Sequence, residues 1–99
     1  MEITVATHSG PFHADDVLAW ALIRVFRHPD AKLVRTREMN LIEQADIVID
    51  VGGEFDPRRQ RFDHHQTAYQ GPLSSAGMVL NWLTDLGDIS PALSQHLKA

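Results

Sequence analysis

Four histidines and four aspartates fall into three short stretches of this sequence: His8, His13, Asp15 and Asp16 in the first, Asp50 in the second, and Asp63, His64 and His65 in the third. The chain has no cysteine, which excludes disulfides and thiolate sites, so metal ligands would have to come from imidazole and oxygen. A mixed nitrogen and oxygen set suits manganese, iron, cobalt or zinc better than calcium, which takes oxygen alone. With a carboxylate as a bridge, such a set can hold two ions about 3.5–4 Å apart, activate a water and neutralise a phosphate under attack. Asp50 is the natural bridge, because an ionised carboxylate ending an apolar strand is costly unless it is paired or metal-bound.

Each residue also has a plainer reading. A single surface histidine needs no functional account, and His28 and His96 are read that way. Asp15 could cap a helix near its positive end, and Asp16 is divided between supporting the site and capping. The conjunction of these residues carries the metal site, not any one of them. Arg35 and Arg37 could reach a phosphate, with ordinary acid pairing as the alternative. Arg58, Arg59 and Arg61 either grip phosphate or form a solvated basic loop. Ser74 and Ser75 open a helix whose free amides either bind an anion or are simply capped.

The elements that must position these groups follow a βαβ rhythm. Residues 2–7 read as a strand broken by Ser9-Gly10-Pro11, and residues 14–27 as a helix apolar over most of its circumference, packed hard against a sheet. Residues 32–36 suggest a second strand. Residues 38–45 suggest a short helix turning Met39, Ile42 and Leu41 inward. The β-branched run from Ile47 to Val51, interrupted by Asp50, reads as a strand buried on both faces of a parallel sheet. Residues 54–71 are polar and read as loop. A helix starting at Ser74 or Ser75 is expected to end before Gly87, and Pro91 opens a last one capped by Ser90. The predicted fold is α/β, a three-layer sandwich with a mainly parallel sheet, forming one unit over residues 1–99. In open parallel sheets ligands bind beyond the carboxyl ends of the strands, where His8 and Asp50 fall.

At 99 residues and 43% hydrophobic content the chain has material for one modest core and not two. No run of the roughly 18 apolar residues that span a bilayer is present, and no basic segment precedes a secretory run. The expectation is a cytoplasmic protein without membrane contact. A formal charge of −4 argues against sequence-blind nucleic-acid binding by the bare chain. Bound divalent ions would reverse that locally, so an anionic substrate is still compatible.

Five stretches in order, Thr7 to Asp16, Arg35 to Arg37, Asp46 to Gly53, Arg61 to Gln66 and Leu73 to Gly77, resemble the melanocyte-proliferating-gene family of the DHH phosphoesterase superfamily. The resemblance implies a metal-dependent enzyme, with 3′-to-5′ RNA exonuclease activity in eukaryotic members. It assigns His8, His13 and Asp15 to the first metal-binding motif, Asp50 to the bridge and His64 to the metals. Asp63 would support His64, and His65 would contact or polarise the phosphate. Two Mn2+ ions are the implied cofactor, with Mg2+, Co2+ or Zn2+ as substitutes. Arg35, Arg37 and Ser75 are the candidate substrate contacts.

Members of that family are several times longer. The superfamily's fourth motif has no match among Asp85 and Asp88, and its second, substrate-binding domain is not expected in these residues. The sequence therefore reads as the N-terminal portion of a DHH-type domain with an open metal site and weak or no turnover. An exposed apolar edge would favour a homodimer or pairing with a further chain segment. Three functions stay open: a phosphodiesterase acting on RNA or oligonucleotides, a non-catalytic metal-binding fragment or partner subunit, and a small-molecule phosphatase or pyrophosphatase.

Overall fold

The computed structural model describes residues 3–10, 14–63 and 74–98. Among these residues five strands form one sheet: β1 (Thr4–Thr7), β2 (Lys32–Arg35), β3 (Ile47–Ile49), β4 (Phe55–Asp56) and β5 (Arg61–Phe62). Its order is β2-β1-β3-β5-β4, with only the β4–β5 pair antiparallel. The α-helices of the described residues are α1 (Ala14–Phe26), α2 (Met39–Gln44), α3 (Ser75–Asp85) and α4 (Pro91–Lys98).

Strand alternation sorts the core into two layers. Val5, Ile47, Ile49 and Phe62 share a core with Ala19, Leu22 and Ile23 of α1 and with Val79, Trp82 and Leu83 of α3. Ala6 and Val48 point the other way and pack with Ile42 of α2. Helices thus cover both faces, the expected α/β sandwich. Handedness explains why α1 and α2 lie on opposite faces. The chain leaves β1 in one direction to reach β2, then crosses back over β1 to reach β3, and a right-handed connection in each direction needs the opposite side of the sheet. The order of strands therefore reverses between β1 and β3, which places a crevice at their carboxyl ends.

The long buried run ends earlier than its composition suggests. Asp50 takes a left-handed backbone, φ 58°, and Gly52 and Gly53 follow with φ of 92° and 70°, so the chain turns sharply off the sheet after Ile49. The polar stretch read as loop contains β4, a 3-10 turn (Pro57–Arg59) and β5. Phe62 of β5 is fully buried with its ring centroid 5.0 Å from that of Trp82.

Two expectations about burial change. Ile42 is the inward residue of α2, whereas Met39 and Leu41 are exposed, because a six-residue helix lying over small residues such as Ala6 turns only one side to the sheet. In α1, Val17, Leu18 and Val25 are exposed, so the helix carries an apolar outer face in addition to its packed one. Among the described residues, no helix is long and apolar enough to cross a membrane.

Candidate metal centre

His8 follows β1, Asp50 follows β3, and these strands are neighbours, with Val5 opposite Ile47 and Ala6 opposite Val48. Strand pairing alone therefore brings the imidazole and the carboxylate to the two lips of the crevice. Asp16 arrives from the first turn of α1, on the helix face that also buries Ala19 and Ile23. All three residues are buried. His8 Nε2 lies 2.7 Å from Asp16 Oδ2 and 3.4 Å from Asp50 Oδ2, and one donor atom from each of the three lies within 4.8 Å of the others.

The hydrogen bonding of the imidazole suits a ligand. Its Nδ1 is 3.2 Å from the Ser9 carbonyl oxygen, which can only accept, so Nδ1 donates. Nε2 is turned to the carboxylates of Asp16 and Asp50, and where a metal takes the place of a proton between them, the hydrogen bond at Nδ1 selects Nε2 as the ligating atom. An imidazole and two carboxylates converging in a buried crevice offer the nitrogen and oxygen donors that a divalent cation takes. An ion with bonds of about 2.0–2.2 Å gathers its donors to within about 4.4 Å of one another, so the three residues fit one divalent ion with little adjustment.

Asp15 occupies a different place. Its two oxygens accept the backbone N–H groups of Ser75, at 3.1 Å, and Ala76, at 2.7 Å, closing the N-terminus of α3 with a carboxylate where the helix dipole favours one. The next amide, Gly77, donates to Ser74 Oγ at 3.2 Å. The amides considered for a substrate anion are thus engaged within the chain. The Ser75 hydroxyl donates to Asp50 Oδ1 at 3.2 Å.

The arginines also bind backbone. Arg35 donates to the Gly10 carbonyl and Arg37, at 3.2 Å, to the Ser9 carbonyl, so β2 grips the loop that carries His8. Arg61 is buried and donates to carbonyls at the end of α2, Glu43 at 3.3 Å and Ala45 at 3.2 Å, which is a C-terminal cap. Burial lowers its pKa from the usual arginine value, with the neighbouring Arg59 adding to the effect. Arg59 pairs with Glu54. Asp63 is buried and accepts the Gly53 N–H at 2.8 Å, tying the start of the third motif to the turn after Asp50.

His8 and Asp50 are therefore brought together, with Asp16 as the third member. His13, His64 and His65 lie outside the described residues. The sequence reading left Asp16 divided between supporting the site and capping and placed Asp15 among the ligands, and the Ser9 carbonyl left no signal in the residue types.

A family model described as Uncharacterised protein family (UPF0160) matches residues 4–83, which include His8, Asp16, Asp50 and Ser75. The chain belongs to this family. Among its relatives, a Chlamydia trachomatis protein named MYG1 protein is 50% identical over 88 residues, covering 88% of this chain and 30% of that protein. A human protein named MYG1 exonuclease is 47% identical over 83 residues, 83% of this chain and 22% of its own length. The MYG1 protein of Dictyostelium discoideum is 37% identical over 87 residues, 79% of this chain and 26% of that protein. The chain thus spans less than a third of the length of each of these relatives. No solved structure matches it significantly. The buried cluster is consistent with a divalent metal.

Proposed function

We propose that this chain carries the metal-holding part of a DHH-type phosphoesterase site that hydrolyses phosphodiester bonds in RNA or short oligonucleotides. The observation that carries the reading is the convergence of His8, Asp16 and Asp50, buried and within 4.8 Å of one another, at the reversal of strand order. Nucleic acid enters through the human relative's name, exonuclease.

In this reading His8, Asp16 and Asp50 hold divalent cations, manganese first and magnesium, cobalt or zinc as substitutes. The family resemblance adds His13 and His64. Asp15 is engaged by the α3 amides, with one N–H on each oxygen and a lone pair left on each. When bound, such ions would supply positive charge for the phosphate and acidity for a water molecule. The chain's own residues supply the frame: the Ser9 carbonyl orients His8, Asp50 presents a carboxylate to the crevice, and Asp63 steadies the turn behind it. Arg35 and Arg37 place positive charge on the loop at the carboxyl edge of the sheet, where an anionic strand would approach. His65, by resemblance, contacts or polarises the phosphate.

A second reading, a metal-binding unit whose hydrolytic partner groups lie on other segments, is favoured by the small share of the relatives' length that the chain spans. Assays with manganese on labelled short RNA, pyrophosphate and a chromogenic phosphodiester separate the readings. Shortening of RNA by the chain, abolished in Asp50→Asn, supports the first. Hydrolysis of pyrophosphate alone indicates a small-molecule enzyme, and metal binding without any hydrolysis indicates the metal-binding unit.

A further inference from the structure

The carboxylate of Asp50 has one oxygen on each side of a division of labour. Oδ2 lies 3.4 Å from His8 Nε2, and Oδ1 accepts the hydroxyl of Ser75 at 3.2 Å. An aspartate's terminal torsion is broad and roughly two-fold, so without a partner its oxygens exchange roles at little cost. Ser75 is able to prevent that exchange because it is itself immobilised. It has no solvent exposure, its N–H donates to Asp15 at 3.1 Å, and its helix is capped by Ser74. On the other side, the Asp50 N–H donates to the Phe62 carbonyl at 2.9 Å, which fixes the backbone from which the carboxylate projects.

We propose that Ser75 is a positioning residue for Asp50: its hydroxyl engages Oδ1, and so holds Oδ2 towards the cation site that Asp50 shares with His8 and Asp16. This deepens the metal-site reading above and rests on it. A serine hydroxyl has one proton to give, so a Ser75 that donates to Asp50 cannot at the same time donate to a phosphate. Its effect on the reaction therefore passes through the metal affinity and geometry of Asp50, and not through contact with substrate. Partners that hold a metal ligand's carboxylate characteristically change affinity by about 10–100-fold when removed.

The test is a calorimetric titration of Mn2+ into the wild-type chain, Ser75→Ala and Ser75→Thr, with the visible absorption of the Co2+-loaded proteins as a readout of ligand geometry. The expected result is an affinity about 10–100-fold weaker in Ser75→Ala with an altered cobalt spectrum, and recovery of both in Ser75→Thr, which keeps the hydroxyl. A folded Ser75→Ala variant with wild-type affinity and spectrum overturns the proposal and leaves the metal site standing. Should Ser75→Ala not fold, Ser75→Val against Ser75→Thr makes the same comparison at equal shape, and equal affinities overturn it. A wild-type chain that binds neither ion overturns the metal-site reading itself.

Discussion

Asp50 combines two unfavourable features at one position, a left-handed backbone and a buried carboxylate facing a second one. Aspartate and asparagine tolerate that backbone better than most residues, so Asp50→Asn keeps the turn and the acceptor for Ser75 while removing the charge. Its metal-free form is expected to unfold within about 1 kcal/mol of wild type, as read by urea unfolding in a chelator. Asp15→Ala should cost more. Loss of the carboxylate that closes α3 costs about 1–2 kcal/mol, a fall in Tm of roughly 5–10 °C for a domain of this size. That contrast between adjacent aspartates was only partly legible: Asp15 read as ligand or cap and Asp16 as support or cap, because neighbours on a helix differ by about 100° of rotation and the sequence does not state which side the crevice occupies. His28 adds a pH effect. Burial, then the charge of Arg27, lowers its pKa from 6.5, against the pull of Asp88 and Asp46. Its contribution to stability is complete above about pH 6.5 and declines as the pH falls towards the lower folded-state value. A stability profile between pH 5 and 8 should show that decline, and His28→Gln should remove it.

At the scale of elements, apolar patterning located β1, α1, β2 and α2, and the capping signals at Ser74 or Ser75 and at Ser90-Pro91 located α3 and α4, each within a residue or two. Patterning failed on β4 and β5, which have two residues each and no room for an alternating pattern. Yet β5 lies inside the sheet next to β3, held by Phe62 against Trp82 and by the cap that Arg61 makes on α2. The turn between β3 and β4 is equally specific. Gly52 has φ 92°, and a Cβ there would meet Ile42 Cγ2 at 3.3 Å, so Gly52→Ala combines backbone strain with crowding against α2. A loss of about 1–3 kcal/mol is expected, measurable by thermal denaturation, together with weaker metal binding because the turn sets Asp50. Leu83→Ala, in the layer between α3 and the sheet, should cost about 2–5 kcal/mol without that added effect on affinity at temperatures where the variant is folded.

For the whole molecule, folding and metal binding are one linked equilibrium. The sheet brings His8 and Asp50 together through a pairing of distant segments, and α1 and α3 bring Asp16 and Ser75 to them, so the unfolded chain has no equivalent site. An ion that binds only the folded state adds about 2.7 kcal/mol of stability at a hundred times its dissociation constant, which for a domain of this size raises Tm by roughly 10–20 °C. The central claim is that the buried cluster is a divalent-cation site, and calorimetric titration of Mn2+ into the metal-stripped chain, beside Asp50→Asn, tests it most directly. Saturable binding by the wild-type chain that is lost in the variant is the predicted result; no specific binding, or equal binding by both, would contradict it.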